Sequence, residues 1–109
     1  MKCLEESVND TVMKYKVIYL PIAGRDISHI NEALTGYPSK AKRLFIEIEK
    51  NLKILEDMPY SWPVYQIKQE YRRMILEDHL LFYMVDEKEH EVKIYRILYG
   101  KMDIPKHIT

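Results

Sequence analysis

Residues 94–103, IYRILYGKMD, run from an apolar stretch onto a glycine, a lysine, a methionine and an aspartate. Just upstream lies YRRMILEDHLLFY. Together the two segments hold Arg72, Arg73, His79, Tyr83, Arg96, Tyr99 and Lys101, with His107 a few residues beyond. Guanidinium and ammonium groups hold anionic oxygen, and imidazole or phenol can move a proton. Such a set could bind a phosphate or carboxylate and carry general acid–base chemistry. Strand alternation limits it. Arg72 and Arg73 face opposite ways, so at most one of them reaches a given site. By the same rule Arg96 and Leu98 share one face, and Tyr95, Ile97 and Tyr99 the other. The plainer reading of Arg96 is a cation at the edge of the core, paired with an acid. The plainer reading of IYRILYGKMD is a strand meeting water.

The elements that position these residues follow from pattern. KYKVIYL is rich in β-branched and aromatic residues and reads as a first strand, which Pro21 ends. Ala23, Ile27, Ile30 and Leu34 recur at helical spacing, with Gly36 where a helix stops. Ser39 is the expected N-cap of a longer helix whose stripe is Ala41, Leu44, Phe45, Ile48, Leu52 and Leu55. Two helices joined by a short turn form an antiparallel hairpin. The two prolines of DMPYSWP make a loop, which Trp62 is expected to anchor to the core. Strands are expected over 71–76, 79–85 and 92–99, separated by short polar turns, as an antiparallel meander. The expected architecture is α+β, with the helix hairpin packed on one sheet face. PKHIT reads as a tail.

At 109 residues the chain suits one domain with a single core. Lys+Arg and Asp+Glu balance at 17 each, so no global field draws it to nucleic acid. The single cysteine, Cys3, makes no internal disulfide, which fits a cytoplasmic location. No apolar run is long enough to span a membrane, so no membrane partner is expected. His29, His79, His90 and His107 lack paired ligand spacing, so neither a metal nor a cofactor is expected. Residues 1–12 read as an N-terminal extension to a domain over 13–109. Met13 is a candidate functional start, which the intact mass of the native protein decides. The alternative is a tail or short helix that packs on the domain.

The wording of the meander adds more. YRRMILEDHLLFYMVDEKEHEVKIYRILYGKMD resembles the C-terminal half of the RelE/ParE superfamily of bacterial toxins. There a Tyr-Arg-rich strand precedes one of the YxVFYxVD kind, and the last strand ends near RVLHGRRD. YKVIYLPIAGRDISHI is similar to that family's first strand and helix opening, and LEDMP to the close of its long helix. The resemblance covers roughly residues 14–104. It implies a toxin of a type II toxin–antitoxin module, associated with plasmid stabilisation and masked by a cognate antitoxin. It also implies one of two mechanisms. ParE-like members arrest growth by binding DNA gyrase. RelE-like members cut mRNA on the ribosome.

For the nuclease branch the candidate catalytic residues are Arg73, Arg96, Tyr99, Lys101 and His107. Where relatives show His-Gly-Arg-Arg-Asp, this chain has Tyr99-Gly100-Lys101-Met102-Asp103. Methionine cannot neutralise phosphate charge, and a lone lysine offers no bidentate fork. These departures and the balanced charge favour the ParE-like branch. The alternatives are the RelE-like endonuclease and a degenerate, non-toxic member that still binds antitoxin.

Overall fold

The computed structural model describes residues 14–108. Residues 1–12, read above as an extension, and Met13 lie outside the described residues. The element order is β1 (Lys16–Tyr19), α1 (Pro21–Ala33), α2 (Pro38–Asp57), β2 (Arg72–Ile75), β3 (His79–Asp86), β4 (Glu91–Tyr99) and α3 (Ile104–Ile108). The sheet order is β1-β4-β3-β2. β2, β3 and β4 form the antiparallel meander, while β1 runs parallel to β4, pairing Val17 with Val92 and Tyr19 with Ile94. The helix hairpin is the crossover that a parallel pairing of this kind requires.

Proline opens both long helices, in the first turn, where a missing N–H is harmless. Ser39 is therefore not the N-cap of α2. Tyr37 occupies that place, without a side-chain cap, because the fixed φ of Pro38 already starts the helix. The apolar stripes of the hairpin meet one sheet face. Ala23, Ile30, Leu44, Ile48 and Leu55 pack with Met74, Leu81, Tyr83, Val92, Ile94 and Ile97, and Trp62 joins from the loop. Tyr83 is wholly buried there, and its hydroxyl donates to the Pro59 carbonyl at 2.7 Å. It is a structural group.

The other sheet face has its own core of Tyr65, Tyr71, Phe82, Leu98, Ile104 and Ile108. PKHIT thus supplies most of α3, a short helix whose buried Ile104 and Ile108 cover that face, and is no loose tail. The sheet is mixed and apolar on both faces, so the hairpin alone could not close it. A second correction concerns β4. Register slips between Phe82 and Tyr83, whose partners are Arg96 and Ile94, so Tyr95 is the extra residue of a β-bulge. Parity inverts there. Tyr95 stacks on Tyr71 in the second core at 4.6 Å, whereas Ile97 lies in the first core. The expected shared face of Tyr95 and Ile97 does not exist, whereas Arg96 and Leu98 lie past the bulge, opposite Phe82 and Leu80, and keep theirs.

At the β3–β4 turn, the Glu87 carboxylate ties three segments together. The Tyr15 hydroxyl donates to it at 2.7 Å and 2.9 Å, and the Tyr60 hydroxyl donates as well. The bond to Glu87 pushes the Tyr60 phenol up to about 12, and the two phenols hold Glu87 below its ordinary 4.5. A depressed carboxylate contributes stability above its unfolded pKa and loses it as pH falls through the folded value. Acid titration of thermal stability is expected to show a component lost below about pH 4.5 in the wild type. Glu87→Gln is expected to lack it. Equal acid sensitivity of the two proteins would contradict this role.

Candidate functional site

The C-terminal end of β4 opens on a cavity of about 600 Å³ walled by α1, the start of α2, the start of β3, the end of β4 and α3. Its floor is apolar, from Ile30, Leu34, Ile97 and Leu98. Of the residues singled out in the sequence, Arg96, Tyr99, His107 and His79 line it. Lys101 borders a smaller neighbouring hollow with Gly100 and Tyr99. Arg73 is not among the lining residues. Its guanidinium lies 5.7 Å from the Tyr65 ring centre, over the second core. Arg72 is on the other face, 4.8 Å from the Tyr60 ring centre and donating to the Trp62 carbonyl at 2.7 Å. The structure therefore brings together three of the five nuclease candidates and leaves Arg73 and Lys101 apart from them.

Arg96 is engaged through all three of its nitrogens. Its Nε and Nη2 donate to the two oxygens of Asp26 at 2.8 Å and 2.9 Å, and its Nη1 donates to the His107 carbonyl at 3.0 Å. The Asp26 carboxylate also accepts the Ile97 N–H at 3.0 Å, on the strand just past the bulge. This fork raises the guanidinium pKa, chiefly through the Asp26 hydrogen bonds. Asp26 is only 6% exposed, so the pair is a buried hub joining α1, β4 and α3. Asp26 carried no role in the sequence reading, although a signal was there. Ala23, Asp26, Ile27 and Ile30 share one helical stripe, and an acid inside an apolar stripe requires a partner.

At the rim, Lys40 pairs with Asp78 at 3.2 Å. His79 is buried and meets the Tyr99 ring edge-on at 5.6 Å. Its Nδ1 is buried without a hydrogen-bond partner, and desolvation pushes its pKa down. Tyr99 and Met102 expose 43% and 38% of their surface at the cavity's lip. Gly100 is placed by its neighbours: its N–H donates to the Asp78 carbonyl at 2.8 Å, and a Cβ there would sit 3.3 Å from the same oxygen. Among the described residues, no group of three or more His, Cys, Asp or Glu is placed to hold a metal ion. Nor is any described helix long and apolar enough to cross a membrane. The cavity thus offers apolar surface, imidazoles and a phenol, with both of its strong cations already paired.

A family model matches the sequence, and solved structures match the fold. No curated protein matches the sequence. The family model described as the ParE toxin of the type II toxin–antitoxin system parDE matches residues 17–104. Among solved structures, the fold is similar to a chain of the chromosomal ParDE system from P. aeruginosa, with a TM-score of 0.66 at 18% identity over 81% of this chain and 98% of that one. It is also similar to a chain of the RelBE2 toxin–antitoxin complex of Mycobacterium tuberculosis, with a TM-score of 0.59 at 18% identity over 79% of this chain and 98% of that one. Strand order, hairpin and the match over residues 17–104 converge on one conclusion: the chain belongs to the ParE toxin family of type II toxin–antitoxin systems.

Proposed function

We propose that this protein arrests growth by protein–protein contact in the cytoplasm, with DNA gyrase as the target, and that a cognate antitoxin neutralises it. The observation that carries the reading is the engagement of Arg96. All three of its donor nitrogens hydrogen-bond within the fold and Asp26 closes the Nε–Nη2 side, so at most two of the five N–H groups of this central guanidinium are left for a scissile phosphate. Met102 supplies no replacement charge, and Arg73 lies outside the cavity. The exposed apolar surface of Tyr99 and Met102 suits a polypeptide partner better than a phosphate. An antitoxin presenting an amphipathic segment would cover such surface and make the pair soluble.

Expression without the antitoxin is expected to stop growth and to leave cellular plasmid DNA relaxed, with purified protein blocking gyrase supercoiling. Co-expression of the antitoxin is expected to restore both. Primer extension on cellular mRNA is expected to show no new cuts. Ribosome-dependent cuts that vanish on Arg73→Ala or Lys101→Ala would replace this reading with the endonuclease. Those two side chains are better probes than Arg96, whose loss is also expected to destabilise the fold. Normal growth with soluble, folded protein would point to the non-toxic member.

A further inference from the structure

Three of the chain's four histidines, His29, His79 and His107, line one cavity at the end of the sheet, although they come from α1, β3 and α3. Every charged group around them is already committed. Asp26 is held by Arg96, and Asp78 by Lys40. The Tyr99 ring covers His79 from the side. His79 itself is 9% exposed, and its Nδ1 has no hydrogen-bond partner. The same residue fixes the strand turn, because its carbonyl accepts the Leu76 N–H at 2.9 Å and the adjacent Asp78 carbonyl accepts the Gly100 N–H at 2.8 Å.

We propose that this corner is an acid-sensitive switch, in which protonation of His79 loosens the joint between the start of β3, the end of β4 and α1. A proton on Nδ1 would be a buried donor without an acceptor, and the new charge would lie among Lys40, Arg96 and two further imidazoles. The adjacent Asp78 is the acid whose charge acts on the ring, and answering the new charge weakens its pair with Lys40. Above the imidazole's ordinary value the ring is neutral and the joint keeps its full stability. As pH falls below that value, the opened state takes up a proton that the closed state excludes, and opening becomes more favourable. At pH 5.5, one unit below an ordinary imidazole pKa of about 6.5, one excluded proton raises the opening equilibrium by at most about tenfold. The inference does not depend on which target the protein engages.

Amide hydrogen exchange at pH 7.5 and pH 5.5, corrected for intrinsic rates, tests this. The Leu76, Ile97 and Gly100 amides are expected to gain up to about tenfold in exchange at pH 5.5, relative to the Met58 amide at the far end of α2. His79→Leu keeps the site apolar and removes the orphan nitrogen, so its exchange ratio is expected to be flat. His29→Gln with His107→Gln is expected to retain most of the effect. An imidazole titration by NMR, which needs no variant, is expected to place His79 below an ordinary imidazole. Uniform exchange ratios in the wild type, an effect that follows His29 and His107, or an ordinary titration of His79 would each overturn the proposal.

Discussion

Asp26→Ala is expected to cost about 3–5 kcal/mol of stability, near the limit of what a chain of this size tolerates. The carboxylate satisfies two donors of Arg96 and the Ile97 N–H at once. Removing it strands a guanidinium in a nearly buried place and leaves a strand amide unpaired. Arg96→Ala is expected to fall in the same range for the mirror reason, with the added loss of the bond to the His107 carbonyl. Arg96→Lys is expected to recover little, because an ammonium cannot span both oxygens while also reaching α3. Urea denaturation of the variants checks all three. A loss under about 1 kcal/mol for Asp26→Ala would mean that the pair is loosely held and that Arg96 is available for a ligand. That result would also reopen the nuclease reading, since it is the engagement of Arg96 that argues against it.

The second large effect belongs to the face covered by α3. Phe82→Ala is expected to cost about 3–5 kcal/mol. Phe82 is wholly buried, meets Tyr65 edge-on at 5.0 Å and lies in a cluster closed by Ile104 and Ile108. Ile108→Ala also deletes a buried side chain, yet its cost is expected to be smaller. α3 is only five residues long, so it can detach before the sheet unfolds, and that detachment caps the loss. The expected pattern is thus a lower global transition for Phe82→Ala. For Ile108→Ala, local exchange at α3 is expected to rise with a modest change in the transition. Equal global losses would show that α3 folds cooperatively with the sheet.

Much of this architecture was legible because its signals are local. β-Branched runs, helical stripes and proline boundaries act over a few residues, and they placed the first strand, the hairpin and the meander within a residue or two. The family resemblance of residues 14–104 was legible for the same reason, since it rests on short ordered segments, and the family match over 17–104 agrees.

The rest depended on distances that no window contains. PKHIT looks polar enough for a tail, and only the uncovered second face of the sheet makes Ile104 and Ile108 core residues. Strict alternation put Tyr95 and Ile97 on one face, but the bulge at Tyr95 inverts parity in mid-strand and leaves no sequence mark. The acid that pairs with Arg96 sits 70 positions earlier, in α1, so the sequence could suggest a paired cation without naming its partner. The cavity histidines are likewise spread from 29 to 107, and their shared environment is a property of the packed corner alone. Sequence by itself determined which elements form and which family they belong to, because propensity and pattern are read locally. Only the tertiary structure decided which charges remain free to act, because pairing and burial are settled between residues that the sequence keeps far apart.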